Sequence, residues 1–179
     1  PESQIEQAAQ TAKEQQTDGW IITLKAPSYI PFMTYADDRE LRKQLYMAYN
    51  TQCTHDNAHN NFEIVKRIVN LRREVAQLLG YASYADFALK NRMAEKPEHV
   101  YQLLNDLIKH YKVPAEKEMK AISALSDEEF KPWDFAYYSQ KLKKKEFDLD
   151  AEMLRPYFEL SQVKKGIFGL AERLYGITF

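Results

Sequence analysis

The most constraining feature of the sequence is an apolar stripe that recurs every three or four residues from Val100 to Leu125. This spacing is typical of one face of an α-helix. The stripe stays in phase across Pro114, although a proline inside a helix lacks the N–H that bonds to the preceding turn. The sequence therefore predicts one long helix here, kinked near His110.

Helical patterns also fill most of the remaining chain. Glycine is scarce, with five in 179 residues, and only Trp20–Leu24 is typical of a strand. Residues 25–31 are punctuated by prolines and predict a loop. The further predicted helices span about 1–16, 37–51, 61–79, 83–91, 135–145 and 161–175, with another helical piece between Asp150 and Pro156. Seven or eight helices with hardly any sheet predict an all-α, irregular multi-helix assembly.

The predicted helix at 61–79 carries apolar residues on so wide a face that burial on more than one side is expected.

Polar residues and glycines mark the predicted helix ends. Small polar residues accept hydrogen bonds from the first N–H groups of a helix, and glycine favours its C-terminal end. The predicted N-caps are Asp37 or Asp38, Asn60 or Asn61, Ser83 with Asp86, Asp134, and Ser161, and the predicted C-terminal glycines are Gly80 and Gly176.

Charge and cysteine content exclude several classes of protein. The formal net charge is −1, so there is no electrostatic case for nucleic acid or an anionic membrane as a partner. The lysines at 141 and 143–145 are interpreted as a solvated helix face in preference to a phosphate patch. Cys53 is the single cysteine, which excludes an internal disulfide and a Cys-rich zinc site, and a buried or half-buried structural thiol is expected. No apolar run has the length of a transmembrane helix.

Histidines are the first candidates for metal chemistry. His55 and His59 have the i, i+4 spacing of two zinc ligands on a helix, but Asp56 stands where a peptidase motif needs glutamate. A catalytic zinc also needs a third protein ligand. A polar loop before a capped helix is the preferred interpretation. His99 and His110 are expected to be surface or hydrogen-bonded structural residues.

Acidic pairs and aromatic residues are the other candidates. Asp37–Asp38 and Asp127–Glu129 are interpreted as acidic residues at helix starts, where the helix dipole favours them, in preference to acid–base catalysts. Four aromatic residues cluster between 133 and 138 and two more follow, and all suit a peptide-binding surface or a helical core, with core packing preferred for each: Trp133, Phe135, Tyr137, Tyr138, Tyr157 and Phe158. No Ser-His-Asp arrangement or phosphate-binding glycine loop is present.

Several short motifs in a fixed order resemble one known family. Pro132–Tyr138 is followed by Phe147–Asp150, Leu154–Leu160, Gly166–Phe168 and Leu174–Ile177, and upstream pieces at 72–81 and 92–97 also fit. From about Gly19 onward, the order is similar to the segment that precedes the catalytic region in the thimet oligopeptidase-like (M3) family of zinc metallopeptidases. The motifs at 147–160 resemble the bacterial peptidyl-dipeptidase branch more than the oligopeptidase A branch.

The resemblance implies a longer enzyme. The family binds zinc through the two histidines of His-Glu-x-x-His and a further glutamate, with the motif glutamate as the catalytic base, and neither the motif nor this third ligand is in this chain. Residues 1–179 are therefore expected to be an incomplete helical segment, one wall of a channel for short peptides, without catalytic or metal residues and without bound zinc. Zinc and the missing catalytic half are expected in the full-length parent, which releases C-terminal dipeptides or cleaves internally. The residues that contact substrate stay unknown.

The ends of the chain fit the same expectation. It opens on Pro1 and stops after an apolar run, 174–179, so the parent gene is expected to continue and to encode the zinc motif. A single cysteine and no signal segment favour the cytoplasm, and an exported parent stays open. The alternatives are a stand-alone helical interaction module and a small metal site on His55 and His59.

Overall fold

The computed structural model describes residues 1–148 and 151–179, with side chains described at all of these except 151, 152 and 155. These residues form eight α-helices, two short 3₁₀ segments and no strand. The all-α prediction is confirmed. The helices are α1 (Glu2–Glu14), α2 (Ala26–Tyr35), α3 (Arg39–Asn50), α4 (Phe62–Leu78), α5 (Tyr84–Leu89), α6 (Pro97–Ser123), α7 (Phe135–Phe147) and α8 (Leu160–Tyr175), and the 3₁₀ segments are η1 (Pro132–Asp134) and η2 (Ala151–Tyr157).

Most helix ends lie where the polar residues predict them. Asp38 Oδ1 accepts a hydrogen bond of 2.9 Å from the Leu41 N–H, which caps α3. The Ser83 hydroxyl oxygen accepts from the Asp86 N–H at the start of α5. Gly80 follows α4 with a φ of +79°, a left-handed conformation that glycine adopts without steric cost. The long helix across Pro114 is also confirmed as α6, whereas its kink stays a prediction.

The prediction for residues 20–31 was wrong. Trp20–Leu24 forms no strand, and the expected loop instead contains the start of α2. Pro27 lies in the first turn, where a missing N–H costs nothing. Pro31 lies one turn further on, inside the helix, where its missing N–H removes a single backbone hydrogen bond. One proline in the first turn and a second one turn later are thus compatible with a short helix.

The predicted cap of α8 was wrong by two residues. The Glu159 carboxylate, not Ser161, accepts from the N–H groups of Ser161 and Gln162, each at 3.1 Å. The two oxygens of a carboxylate can satisfy two free N–H groups at once. Its negative charge also interacts favourably with the positive end of the helix dipole. Gly176 ends α8 as predicted. Asp150, predicted to flank the piece before α8, lies outside the described residues.

Helix α7 is the centre of the packing among the described elements. It packs against α2 and α6, while η1, just before it, packs against α3. Helix α1 packs on α2, and α4 contacts α5, which in turn contacts α6. This arrangement brings the corner between α2 and α3 onto η1, although about 95 residues separate the two in sequence.

Little of the apolar surface is covered. The accessible surface is 14756 Å², whereas a folded chain of 21.0 kDa ordinarily exposes about 9,000 Å². Ala76 is the one described residue of α4 that is buried, so the expectation that α4 is buried on more than one side was wrong. Few apolar side chains are buried among the described residues: Ala8, Ala12, Met33, Ala76, Ile122 and Tyr137.

Candidate functional site

The most highly organised group of polar side chains surrounds Asp134. This aspartate is fully buried, and Arg42 beside it is 1% exposed. Arg42 Nη2 lies 3.1 Å from Asp134 Oδ1, and Arg39 Nη2 lies 2.8 Å from Asp134 Oδ2. The Lys131 N–H donates to Oδ2 at 3.0 Å. Asp134 was predicted to cap α7, but its carboxylate makes no such bond, because both its oxygens are taken up by these donors.

Arg42 is held by backbone oxygens as well as by Asp134. Its Nη1 donates to the carbonyls of Ala36, at 2.7 Å, and Asp37, at 3.1 Å. A buried charge is tolerated when it is paired and its remaining hydrogen-bond donors are satisfied. The corner between α2 and α3 therefore provides the carbonyl oxygens, and η1 provides the counter-charge.

Arg39 extends the cluster to the surface. Its Nη1 lies 2.7 Å from Glu128 Oε2, and its Nη2 donates to the Glu129 carbonyl at 2.9 Å. The acidic run 127–129 was predicted to stand at a helix start. That prediction was wrong, because these residues lie in the loop between α6 and η1, where Arg39 fixes them. Glu128 is 67% exposed and is the solvated end of the cluster.

Aromatic rings cover the arginines. The Tyr137 hydroxyl donates to Asp37 Oδ1 at 2.6 Å, and its ring lies 4.0 Å from the guanidinium carbon of Arg42 and 4.2 Å from Lys141 Nζ. Tyr137 is buried, as predicted, and Trp133 is half-buried with its ring 6.1 Å from the Tyr46 ring in an edge-to-face arrangement. The prediction of core packing was wrong for Phe135, Tyr157 and Phe158, which are exposed. Tyr138 is half-buried.

We expect the stability of the chain to depend on acid pH through Asp134. Burial opposes its ionisation, but hydrogen bonds from Arg39, from the Lys131 N–H and from Arg42 outweigh burial and hold the pKa of Asp134 below its ordinary value. A lowered pKa contributes stability that is complete above the ordinary value of about 3.9 and is lost as the pH falls through the folded-state pKa.

Urea unfolding followed by circular dichroism between pH 7 and pH 2 measures this contribution. The free energy of unfolding should fall with acid in the native chain, and the fall should be smaller in Asp134→Asn. The pKa of Glu159 is also lowered, by hydrogen bonds from the Ser161 hydroxyl and from backbone N–H groups. Glu159→Gln is therefore the matched comparison, because it removes a second carboxylate of lowered pKa and leaves Asp134 in place. Identical pH profiles for the native chain and Asp134→Asn would contradict the assignment.

The histidines and the cysteine that were candidates for chemistry form no metal site among the described residues. His55 and His59 lie in the loop between α3 and α4, where the helical i, i+4 argument does not apply. His55 Nε2 lies 3.2 Å from the Thr51 hydroxyl oxygen, and His99 Nδ1 lies 2.8 Å from the Ala94 carbonyl oxygen. Cys53 is exposed, not buried as expected, because it lies in this same surface loop.

An open cleft of about 1220 Å³ lies between α1, α2 and α3. Apolar and amide side chains line it together, among them Ile5, Gln7, Phe32 and Gln44. Pockets for flexible ligands commonly combine apolar walls with a few hydrogen-bonding groups. The cleft between α1, α2 and α3 combines both kinds of lining group. None of the described helices combines the length and the apolar character that crossing a membrane requires.

Comparison with known proteins identifies the family. The model of peptidase family M3 matches residues 32–179, which is most of the chain. The chain belongs to peptidase family M3. The family resemblance carried by the motifs from Pro132 to Ile177 is thereby confirmed.

Individual members of family M3 match nearly the whole chain. Oligopeptidase A of Escherichia coli is 38% identical over 187 residues, covering 99% of this chain and 28% of that protein. Dipeptidyl carboxypeptidase of Escherichia coli is 32% identical over 185 residues, covering 99% of this chain and 27% of that protein. The mitochondrial intermediate peptidase of Arabidopsis thaliana is 28% identical over 179 residues and is covered to 25%. The chain spans less than a third of the length of these relatives.

Peptidases of family M3 are zinc metallopeptidases in general. The residues that the structure describes do not fit such a site. Among those that the structure describes, no three His, Cys, Asp or Glu side chains are grouped so that they could hold a metal ion. Asp134 carries the most enclosed carboxylate, and two arginines already neutralise it. No step of metal-assisted hydrolysis is therefore assigned to these side chains.

Proposed function

We propose that this chain is a helical part of a longer zinc-dependent peptidase that hydrolyses short peptides. The observation that carries the proposal is the family match over residues 32–179, together with relatives that are peptidases and are more than three times as long. The zinc ligands and the catalytic base would lie in the part of the enzyme outside this chain. A cytoplasmic location is proposed because Cys53, the single cysteine, forms no disulfide within the chain, as is usual in a reducing compartment.

The cleft between α1, α2 and α3 is the surface that best suits a channel wall. Its glutamine amides can pair with the backbone of an extended peptide, and its apolar residues can contact side chains without selecting one sequence. The Asp134 cluster supports this wall, because it fixes the corner between α2 and α3 onto α7. This chain would thus orient peptides and exclude water.

The mode of cleavage has two candidates. The motifs at 147–160 favour release of C-terminal dipeptides, whereas the identities of 38% to oligopeptidase A and 32% to dipeptidyl carboxypeptidase favour internal cleavage. Identity over 99% of the chain outweighs a short motif. We therefore propose the oligopeptidase mode, with dipeptide release as the second candidate.

Product analysis of the longer polypeptide separates the two modes. A peptide of about ten residues is offered with a free C-terminal carboxylate and, in parallel, with a C-terminal amide, and the products are identified by mass spectrometry. Internal cleavage should proceed on both peptides at similar rates. Stepwise loss of dipeptides from the free acid alone would favour dipeptide release, and no hydrolysis of either peptide with zinc present would overturn the proposed function.

A further inference from the structure

Within its wide apolar face, helix α4 carries a stripe of aliphatic residues that the described chain leaves about half exposed. Ile64, Ile68, Leu71 and Val75 follow one another at four, three and four residues, so they share one face of the helix. They are 55%, 43%, 48% and 43% exposed. Helix α5 is the one described element that packs substantially against α4, and Ala76, which is fully buried, lies on a neighbouring face.

The other side of α4 is an ordinary solvated face. Lys66 Nζ pairs with Glu63 at 2.6 Å, and Arg67 and Arg73 are exposed. A helix with one charged side and one aliphatic side normally buries the aliphatic side. The stripe is therefore a surface that requires a partner.

The chemistry of the stripe distinguishes among possible occupants. Interfaces between separate proteins are enriched in Tyr, Trp and Arg at their anchors, whereas this stripe contains only Ile, Leu and Val, which are typical of a domain interior. A peptide substrate would also need hydrogen-bonding groups, and these side chains offer none. The accessible surface of 14756 Å² exceeds that of an ordinary folded chain of this mass. The excess is several times the roughly 800 Å² that a protein loses in a standard complex.

We propose that the stripe Ile64, Ile68, Leu71 and Val75 is the seam along which the rest of the same peptidase polypeptide packs. This inference rests on the proposed function, because it takes a longer chain as given. The relatives supply the necessary length, since about 70% of each lies outside the match. The occupant is an apolar segment of that remainder, so α4 belongs to the interior of the complete enzyme, and the cleft between α1, α2 and α3 stays open.

The test places one pair of substitutions in two contexts. Ile68→Gln with Leu71→Gln is made in the 179-residue chain and in the longer polypeptide, with Arg67→Gln and Arg73→Gln on the polar face as the matched control. In the 179-residue chain, the apolar pair should reduce binding of a hydrophobic dye and leave the urea midpoint unchanged. In the longer polypeptide it should lower the urea midpoint by about 1 M, because it buries two polar groups, while the control pair leaves it unchanged.

Three results would overturn the seam. The first is an unchanged midpoint in the longer polypeptide; the second is a lowered midpoint in the 179-residue chain, which would show that the stripe is already covered. The third is a dimer of the 179-residue chain that the apolar pair abolishes, with no effect on the longer polypeptide. If the apolar pair prevents folding of the longer polypeptide, Ile68→Ala should give a smaller shift in the same direction. Peptide hydrolysis by the unsubstituted longer polypeptide tests the proposed function separately.

Discussion

Replacing Asp134 with alanine should lower the free energy of unfolding by about 3–5 kcal/mol. The substitution removes the counter-charge of Arg42, which is 1% exposed, and so leaves a buried guanidinium unpaired. Arg39 keeps Glu128 as a partner and is partly solvated, so most of the loss comes from Arg42. Urea unfolding of the chain, followed by circular dichroism at pH 7, measures the change.

Glu128→Gln is the matched control for this prediction. It removes a carboxylate from the same cluster, but Glu128 is 67% exposed, and exposed ion pairs contribute about 0–1 kcal/mol. If Asp134→Ala does not fold, Asp134→Asn keeps the shape of the side chain and some of its hydrogen bonds and should show a smaller loss. A cost below about 1 kcal/mol for Asp134→Ala would show that water reaches Arg42.

Replacing Tyr137 with alanine should also cost about 3–5 kcal/mol, the range for large buried aromatic residues. The ring is buried, and the guanidinium carbon of Arg42 on α3 lies 4.0 Å from its centre. Its loss opens a cavity beside an already desolvated charge. The same urea experiment applies.

Tyr137→Phe separates the ring from its hydroxyl group. This variant keeps the packing and removes only the 2.6 Å hydrogen bond to Asp37, so a cost of about 0.5–1.5 kcal/mol is expected. If the two variants cost the same, the hydrogen bond would anchor the corner between α2 and α3, and the proposed role of the ring would be wrong.

Local features of the chain were largely predictable from its sequence. The helical period from Val100 to Leu125 predicted α6, because a 3.6-residue repeat directly reports which face of a helix is apolar. Caps at Asp38, Ser83 and Gly80 were predictable because each depends on atoms within a few residues. The family followed from ordered motifs.

Long-range partnerships were not predictable. Asp134 has the signature of a helix cap, and only the fold shows that Arg39 and Arg42, more than 90 residues away, take up its carboxylate. Two arginines three residues apart on a helix ordinarily indicate a solvated face, so nothing in the sequence marked them. The stripe on α4 was predicted to be buried, because a periodic pattern shows which face is apolar but not what covers it.

The proposed function places these helices in a longer zinc peptidase whose metal ligands lie elsewhere in the polypeptide. Zinc content by atomic absorption, measured with peptide hydrolysis on the 179-residue chain and on the longer polypeptide, tests it most directly. The account predicts no stoichiometric zinc and no hydrolysis for the 179-residue chain, and about one zinc with hydrolysis for the longer polypeptide. Retention of one zinc by the 179-residue chain, with cleavage of the same peptides, would contradict it.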